Sequence, residues 1–130
     1  MKKGDVFKLS YLISDSLYQS FVNTFNDRNP LHISDLYAQE KGFKTRVMHG
    51  NILGGFLSHF IGEGLPIKNV VLQSQEIKYM KPVYENTRLT LIAEIEDIYE
   101  SVNTIEFKYH FLNEENNKIA KGKIQIGILT

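Results

Sequence analysis

From Gly50 to Gly62 the chain reads GNILGGFLSHFIG, and its apolar residues Ile52, Leu53, Phe56, Leu57, Phe60 and Ile61 fall in pairs four apart. That spacing predicts a helix beginning at Gly50 and ending around Gly62 and Gly64, before Pro66. A helix that is apolar nearly all round must be covered on most sides, and the second half of the chain reads as that cover. Val70 to Met80 is strand-like. In Leu89 to Glu96, the residues Leu89, Leu91, Ala93 and Ile95 alternate with Thr90, Ile92, Glu94 and Glu96. Ile105, Phe107, Tyr109 and Phe111 form one face of Val102 to Phe111, and after the turn at Asn113 to Asn117 the residues Ala120, Gly122, Ile124, Ile126 and Ile128 form one face of the last segment. Period-two alternation of this kind belongs to strands with one buried face. The expected class is therefore α+β, an antiparallel meander of about four strands curled around a long central helix. Two mid-helix glycines, Gly54 and Gly55, cost about 1 kcal/mol each relative to alanine. With Ser58 they mark a face where another backbone or a ligand approaches closely.

The first half positions polar groups in front of that helix. Val6 to Ile13 reads as an edge strand. Ser14, Asp15 and Ser16 are helix N-cap candidates for a segment in which Leu17, Phe21 and Phe25 recur every four residues, ending near Asn26. Ser34 and Asp35 cap a shorter helix through Lys41, stopped by Gly42. Between the two lies NDRNPLH, Asn26 to His32. Proline lacks an amide donor and pushes the residue before it toward extended geometry, so Asn29 and Pro30 disfavour a continuing helix. A turn there brings the Asp27 carboxylate and the His32 imidazole close together. Both are groups able to move protons near neutral pH, the carboxylate when partly buried. The start of the Gly50 helix offers unpaired amides and a positive dipole end, which stabilise negative charge growing on an oxygen. An acid/base pair beside an electrophile-binding helix end points to an enzyme.

Composition narrows the partners. The chain has 130 residues, read as one domain spanning 1–130. Its fifteen basic and fifteen acidic residues leave no net field for nucleic acid or an anionic membrane. With no cysteine, disulfides, thiolate metal sites and a cysteine nucleophile are excluded, which fits a reducing compartment. MKKGDVFKLS has no apolar run behind its lysines and is not a secretory signal, and no segment approaches the roughly 20 apolar residues of a membrane span. A soluble, cytoplasmic protein is expected. The four histidines lack metal-ligand spacing along the sequence, so no metal is expected.

The chain resembles the MaoC-like, (R)-specific enoyl-CoA hydratase family of the hot dog fold. The family signature D-x-N-P-[apolar]-H stands in full as Asp27, Asn29, Pro30, Leu31 and His32. The family usually has a glycine before the aspartate, where this sequence has Asn26. A histidine and glycine opening the central helix are matched by His49 and Gly50, and a serine nine residues after that histidine is matched by Ser58. The resemblance implies reversible syn addition of water to a trans-2-enoyl thioester of coenzyme A or acyl carrier protein, giving an (R)-3-hydroxyacyl thioester. Asp27 and His32 would hold the water, the Gly50 amide would bind the thioester oxygen, and Ser58 would orient or assist. Asn29, His49 and Asn51 complete the set as substrate-side residues, with Asn29 also able to fix the turn and His49 to hold neighbouring backbone. No cofactor is implied, coenzyme A or phosphopantetheine being part of the substrate. The expected assembly is a homodimer with its central helices near the interface and its sheets joined edge to edge. Lys78, Lys81 and Arg88 are candidate contacts for the carrier's phosphates or for an acidic carrier surface. Two other functions stay open on the residues alone: a hot dog thioesterase, and a non-catalytic acyl-thioester-binding subunit.

Overall fold

The computed structural model describes residues 1–130. Strand β1 (Val6–Leu12) leads into helix α1 (Asp15–Phe25), followed by two short helices, α2 (Pro30–Ile33) and α3 (Asp35–Glu40). Helix α4 (Ile52–His59) continues into a π turn (Phe60–Gly64), after which come β2 (Val70–Tyr79), β3 (Arg88–Tyr99), a 3-10 turn (Glu100–Val102), β4 (Thr104–Leu112) and β5 (Lys118–Ile128). The five strands form one antiparallel sheet in the order β1-β3-β4-β5-β2. The last three strands run as the expected meander. Strand β2 does not join β3, its neighbour in sequence, but crosses to the far end and pairs with β5. Both edges of the sheet, β1 and β2, therefore come from the part of the chain before the meander.

The alternating residues point as their pattern requires. Leu89, Leu91, Ala93 and Ile95 on β3, Ile105, Phe107, Tyr109 and Phe111 on β4, and Ile124 and Ile126 on β5 are all buried. They close over Ile52, Leu53, Phe56, Leu57, Phe60 and Ile61 of the central helix and its π turn in one hydrophobic cluster. Aromatic contacts knit the layers: Phe60 meets Phe7 at 5.7 Å and Phe107 at 5.5 Å between ring centroids, and Phe56 stacks on Tyr11 at 4.5 Å. Each such side chain contributes about 1.5–3 kcal/mol relative to exposure, so this helix anchors the sheet that covers it.

The cover is incomplete. Asn51, Gly55, Ser58, His59 and Gly62 form an exposed stripe down the helix, and apart from the helix's own backbone nothing of this chain lies within 4 Å of where a Cβ would sit on Gly55 or Gly62. Ser58 stands on this face, the one that the sheet does not wrap. Gly122 has the opposite reason for being small. A Cβ there would lie 1.9 Å from the Glu76 carbonyl oxygen and 2.7 Å from the Tyr109 hydroxyl. That hydroxyl passes over Gly122 to donate to the Glu76 carbonyl at 2.6 Å, tying β4 to the edge strand β2 across β5.

Candidate active site

Asn26 ends α1 in the left-handed conformation, φ 56° and ψ 27°, its amide donating to the Val22 carbonyl. Asparagine tolerates that region as few other residues besides glycine do, so the turn is made despite the departure from the glycine of the family pattern. Asp27 then accepts the Asn29 amide on Oδ1 at 3.2 Å, and Asn29 Oδ1 accepts the Leu31 amide at 3.0 Å. Asn29 thereby caps α2, with Pro30 at its first position. Proline ends one helix here and starts another, because its missing amide costs nothing at N1. His32 is carried on this single turn, a helix that the sequence pattern did not predict.

The His32 ring is fixed by its surroundings. Its Nδ1 lies 2.7 Å from the Val47 carbonyl. A carbonyl only accepts, so Nδ1 carries a proton, and in the neutral ring Nε2 presents the lone pair. His49 Nε2 similarly donates to the Asp27 backbone carbonyl at 2.9 Å, and the two imidazoles stack with centroids 4.1 Å apart and planes 27° from parallel. One donor atom each from Asp27, His32 and His49 lies within 4.8 Å of the others. Asp27 is exposed, His32 half-buried and His49 buried. The cluster is poorly shaped for a metal ion: imidazole lone pairs lie in the ring plane, and stacked, nearly parallel rings do not converge on one point about 2.0–2.1 Å from both nitrogens.

Gly50 opens the central helix next to this group. The first bonds of the helix run from the Ile52 and Leu53 amides to the His49 and Gly50 carbonyls, both at 3.1 Å. The amides of Gly50 and Asn51 donate to no group of the chain, and Asn51 makes no side-chain cap. These are the unpaired donors expected of a helix start. A Cβ on Gly50 would lie 2.8 Å from the Tyr79 ring, so any side chain at this position has to displace that ring.

Two clefts flank the group. One, of about 410 Å³, is lined by Gly50 with Val47, Met48, Leu53, Tyr79 and Lys81, among others. The other, of about 700 Å³, is lined by Asp27, Asn51 and Gly55 with Leu17, Phe21, Phe25, Ile52 and Phe56. A further concavity of about 710 Å³ lies on the outer face of the sheet, among lysines and glutamates that include the pairs Lys108–Glu94 and Lys123–Glu96. It touches none of Asp27, His32 or Gly50.

The structure therefore brings together Asp27, His32 and His49, with Gly50 adjoining His49 and Asn51 beside Asp27. Ser58 lines neither flanking cleft and makes no side-chain hydrogen bond. Of the three candidate cations, Lys81 lines the Gly50 cleft, Lys78 pairs in register with Lys121 on the outer face, and Arg88 donates to Ser10. Tyr18 is a residue that sequence reasoning missed. It is fully buried, and its hydroxyl reaches the carbonyls of both His32 and Val47, with the Arg46 guanidinium 4.9 Å over its ring. Burial pushes its hydroxyl up to about 12, so it stays a donor at neutral pH. Tyr18 lies one residue after Leu17 and off the Leu17, Phe21, Phe25 stripe, which is why the period did not mark it.

The model of the MaoC like domain family matches residues 13–116. The chain belongs to the MaoC-like domain family. Among its MaoC-like relatives, an (R)-specific enoyl-CoA hydratase of Rhodospirillum rubrum is 30% identical over 108 residues, covering 83% of this chain and 75% of the relative. A mitochondrial 3-hydroxyacyl-[acyl-carrier-protein] dehydratase of Arabidopsis thaliana is 25% identical over 109 residues, covering 84% of this chain and 64% of that protein. The solved (R)-hydratase of A. caviae involved in PHA biosynthesis superposes with a TM-score of 0.90 at 20% identity, covering 98% of this chain and 97% of that one. The fold of this MaoC-like chain is the hot dog fold, and its family places it among the lyases. No helix is long and apolar enough to cross a membrane.

Proposed function

We propose that this chain hydrates trans-2-enoyl thioesters to (R)-3-hydroxyacyl thioesters and runs the reverse dehydration, using Asp27, His32 and the Gly50 amide. The observation that carries the reading is the close approach of Asp27 and His32 beside a helix start whose amides are free. A substrate laid across the site has its atoms in the same order as the protein groups. The pantetheine arm follows the cleft beside Gly50, the thioester oxygen meets the Gly50 amide, and the β-carbon lies at Asp27 and His32. The acyl tail continues along Leu17, Phe21, Phe25 and Phe56. Water is held between the Asp27 carboxylate and His32 Nε2. As its oxygen bonds to the β-carbon, the pair takes up one of its protons and delivers a proton to the α-carbon from the same face. Negative charge passing onto the thioester oxygen is met by the Gly50 amide, whose donor is already oriented. The chemistry needs no cofactor, the carrier being part of the substrate. Two relatives point to two carriers, coenzyme A and acyl carrier protein, by their names.

We place a second copy of this chain against the exposed α4 stripe and edge strand β2, most of whose residues are exposed. Phe25, 68% exposed on the rim of the acyl cleft, marks a wall that such a copy completes. Gel filtration with light scattering at micromolar concentration should give a dimer, and a monomer there counts against the placement.

Loss of enoyl absorbance from a short trans-2-enoyl-CoA without release of free thiol is the expected result, thiol release being the mark of a thioesterase instead. Asp27→Asn and His32→Ala should each lower kcat about 10²- to 10⁴-fold, the range of a lost general acid or base. Unchanged turnover in both variants would remove the pair from the mechanism.

A further inference from the structure

His49 takes no step in the reaction proposed above, yet its polar atoms are placed with unusual constraint. It is 2% exposed. With the proton held on Nε2 by the Asp27 carbonyl, Nδ1 is a bare acceptor, and that atom is buried with no donor near it. Burying an unpaired acceptor is unfavourable, and the slot is otherwise aromatic, with the rings of Tyr18 at 5.6 Å and Phe21 at 4.7 Å. A phenylalanine would suit such a slot better if packing were all that mattered. What imidazole adds is one N–H, and that N–H holds Asp27. The same ring lies against the face of His32 at 4.1 Å. His49 thus touches the backbone of the acid and the face of the base, which sit on opposite sides of the Asn29–Pro30 turn.

We propose that His49 is a positioning residue whose Nε2–H tether to the Asp27 carbonyl, with its ring as a backing for His32, sets the separation of Asp27 and His32. The inference rests on the hydratase reading for its kinetic consequence, not for its structural one. The turn from Asp27 to His32 is exposed over most of its length, and its internal bonds, the Asx turn at Asp27 and the cap at Asn29, are local. None of them ties Asp27 to the central helix. His49 does, and being next to Gly50 it references the acid to the oxyanion amide as well.

The test compares wild type, His49→Leu and His49→Gln, with crotonyl-CoA as the probe. Glutamine places an amide nitrogen near the Nε2 position and keeps a donor for Asp27 while losing the ring. His49→Leu should lower kcat about 10- to 100-fold, the scale of a sub-ångström to ångström misplacement of a reacting group, with KM within about twofold because no substrate contact is lost. His49→Gln should recover a substantial part of kcat at the same melting temperature. Nitrogen spectra of the His32 ring give a readout independent of turnover: the Nδ1–H tautomer of wild type should persist in H49Q and broaden or mix in H49L. If H49L does not fold, His49→Phe keeps an aromatic ring in the slot and removes only the N–H, and carries the same comparison. Wild-type kcat in H49L or H49F, or an H49Q variant as slow as they are, overturns the proposal. If the wild-type chain does not hydrate the probe at all, the hydratase reading fails, and the His32 spectra alone decide whether His49 positions the ring.

Discussion

Replacing Tyr18 by phenylalanine removes one oxygen from the centre of the fold and tests whether His32 is held from behind. The hydroxyl is the sole partner of the His32 backbone carbonyl, whereas the Val47 carbonyl keeps the His32 Nδ1–H when the hydroxyl is gone. The variant therefore leaves one part-buried acceptor unpaired and loses one hydrogen bond, a cost of about 1–3 kcal/mol. In a domain of this size each kcal/mol moves the melting temperature by about 3–5 °C, so Tyr18→Phe should melt several degrees lower by circular dichroism. The ring volume is kept, so the core and the Arg46 contact above the ring persist. Because the lost bond is on His32 itself, kcat for the proposed hydration should fall about tenfold through misplacement of the imidazole. The alkaline limb of the stability profile probes the same hydroxyl. The folded-state hydroxyl sits near 12 and the unfolded one near the ordinary value of 10. Its contribution to stability is complete below pH 10 and is lost as pH rises from 10 through 12. The gap in melting temperature between wild type and Tyr18→Phe should accordingly narrow across that window. A variant that melts within 1 °C of wild type, by roughly the precision of such scans, and turns over normally would show that the carbonyls of His32 and Val47 need no such support.

Substitutions at three further positions follow from the geometry. Gly50→Ala puts a Cβ 2.8 Å from the Tyr79 ring, which is half-exposed and free to swing aside; stability should fall by only about 1–2 kcal/mol, while on the proposed mechanism kcat drops because the displaced ring and the new methyl crowd the Gly50 amide, as steady-state kinetics beside a thermal melt will register. Gly122→Ala drives a methyl into the Glu76 carbonyl at 1.9 Å, where backbone of the edge strand has to move, and a loss above about 3 kcal/mol is expected; a soluble variant with an unchanged melt contradicts the crossing of Tyr109 over β5. Asn26→Gly should be neutral within about 0.5 kcal/mol and Asn26→Ala should cost about 1–2 kcal/mol, since only the second penalises a left-handed backbone; equal melting temperatures for the two argue against the positive φ at that turn.

The local features were readable residue by residue. The pairs Ile52 and Leu53, Phe56 and Leu57, Phe60 and Ile61 announced a buried helix, and Leu89 to Ile95 announced a strand with one inner face, because burial follows the 3.6- and two-residue periods along the chain. The caps at Ser14 and Ser34 and the stop at Gly42 also stand where short-range hydrogen bonding puts them. The Asn29–Pro30 break between Asp27 and His32 was legible as a turn, though not as a one-turn helix with proline at its head.

What no local pattern carries is the partner of a group far away in sequence. The passage of β2 to the far side of β5, the tether from His49 to a carbonyl twenty-two residues earlier, and the reach of Tyr18 to Val47 twenty-nine residues on are long-range pairings. They are settled when the sheet closes over the helix and buried polar atoms take whichever complementary group the packing leaves nearest. Ser58 marks the same boundary from the other side: its sequence position matched a motif, but only the curvature of the sheet decides which stripe of the helix is left bare. The sequence by itself determined the helix, the strands and the turn that carries Asp27 and His32, since each depends on neighbours a few residues apart. Tertiary structure alone decided which atoms of Asp27 and His32 are held, and by what, since those partners meet only after the chain has folded.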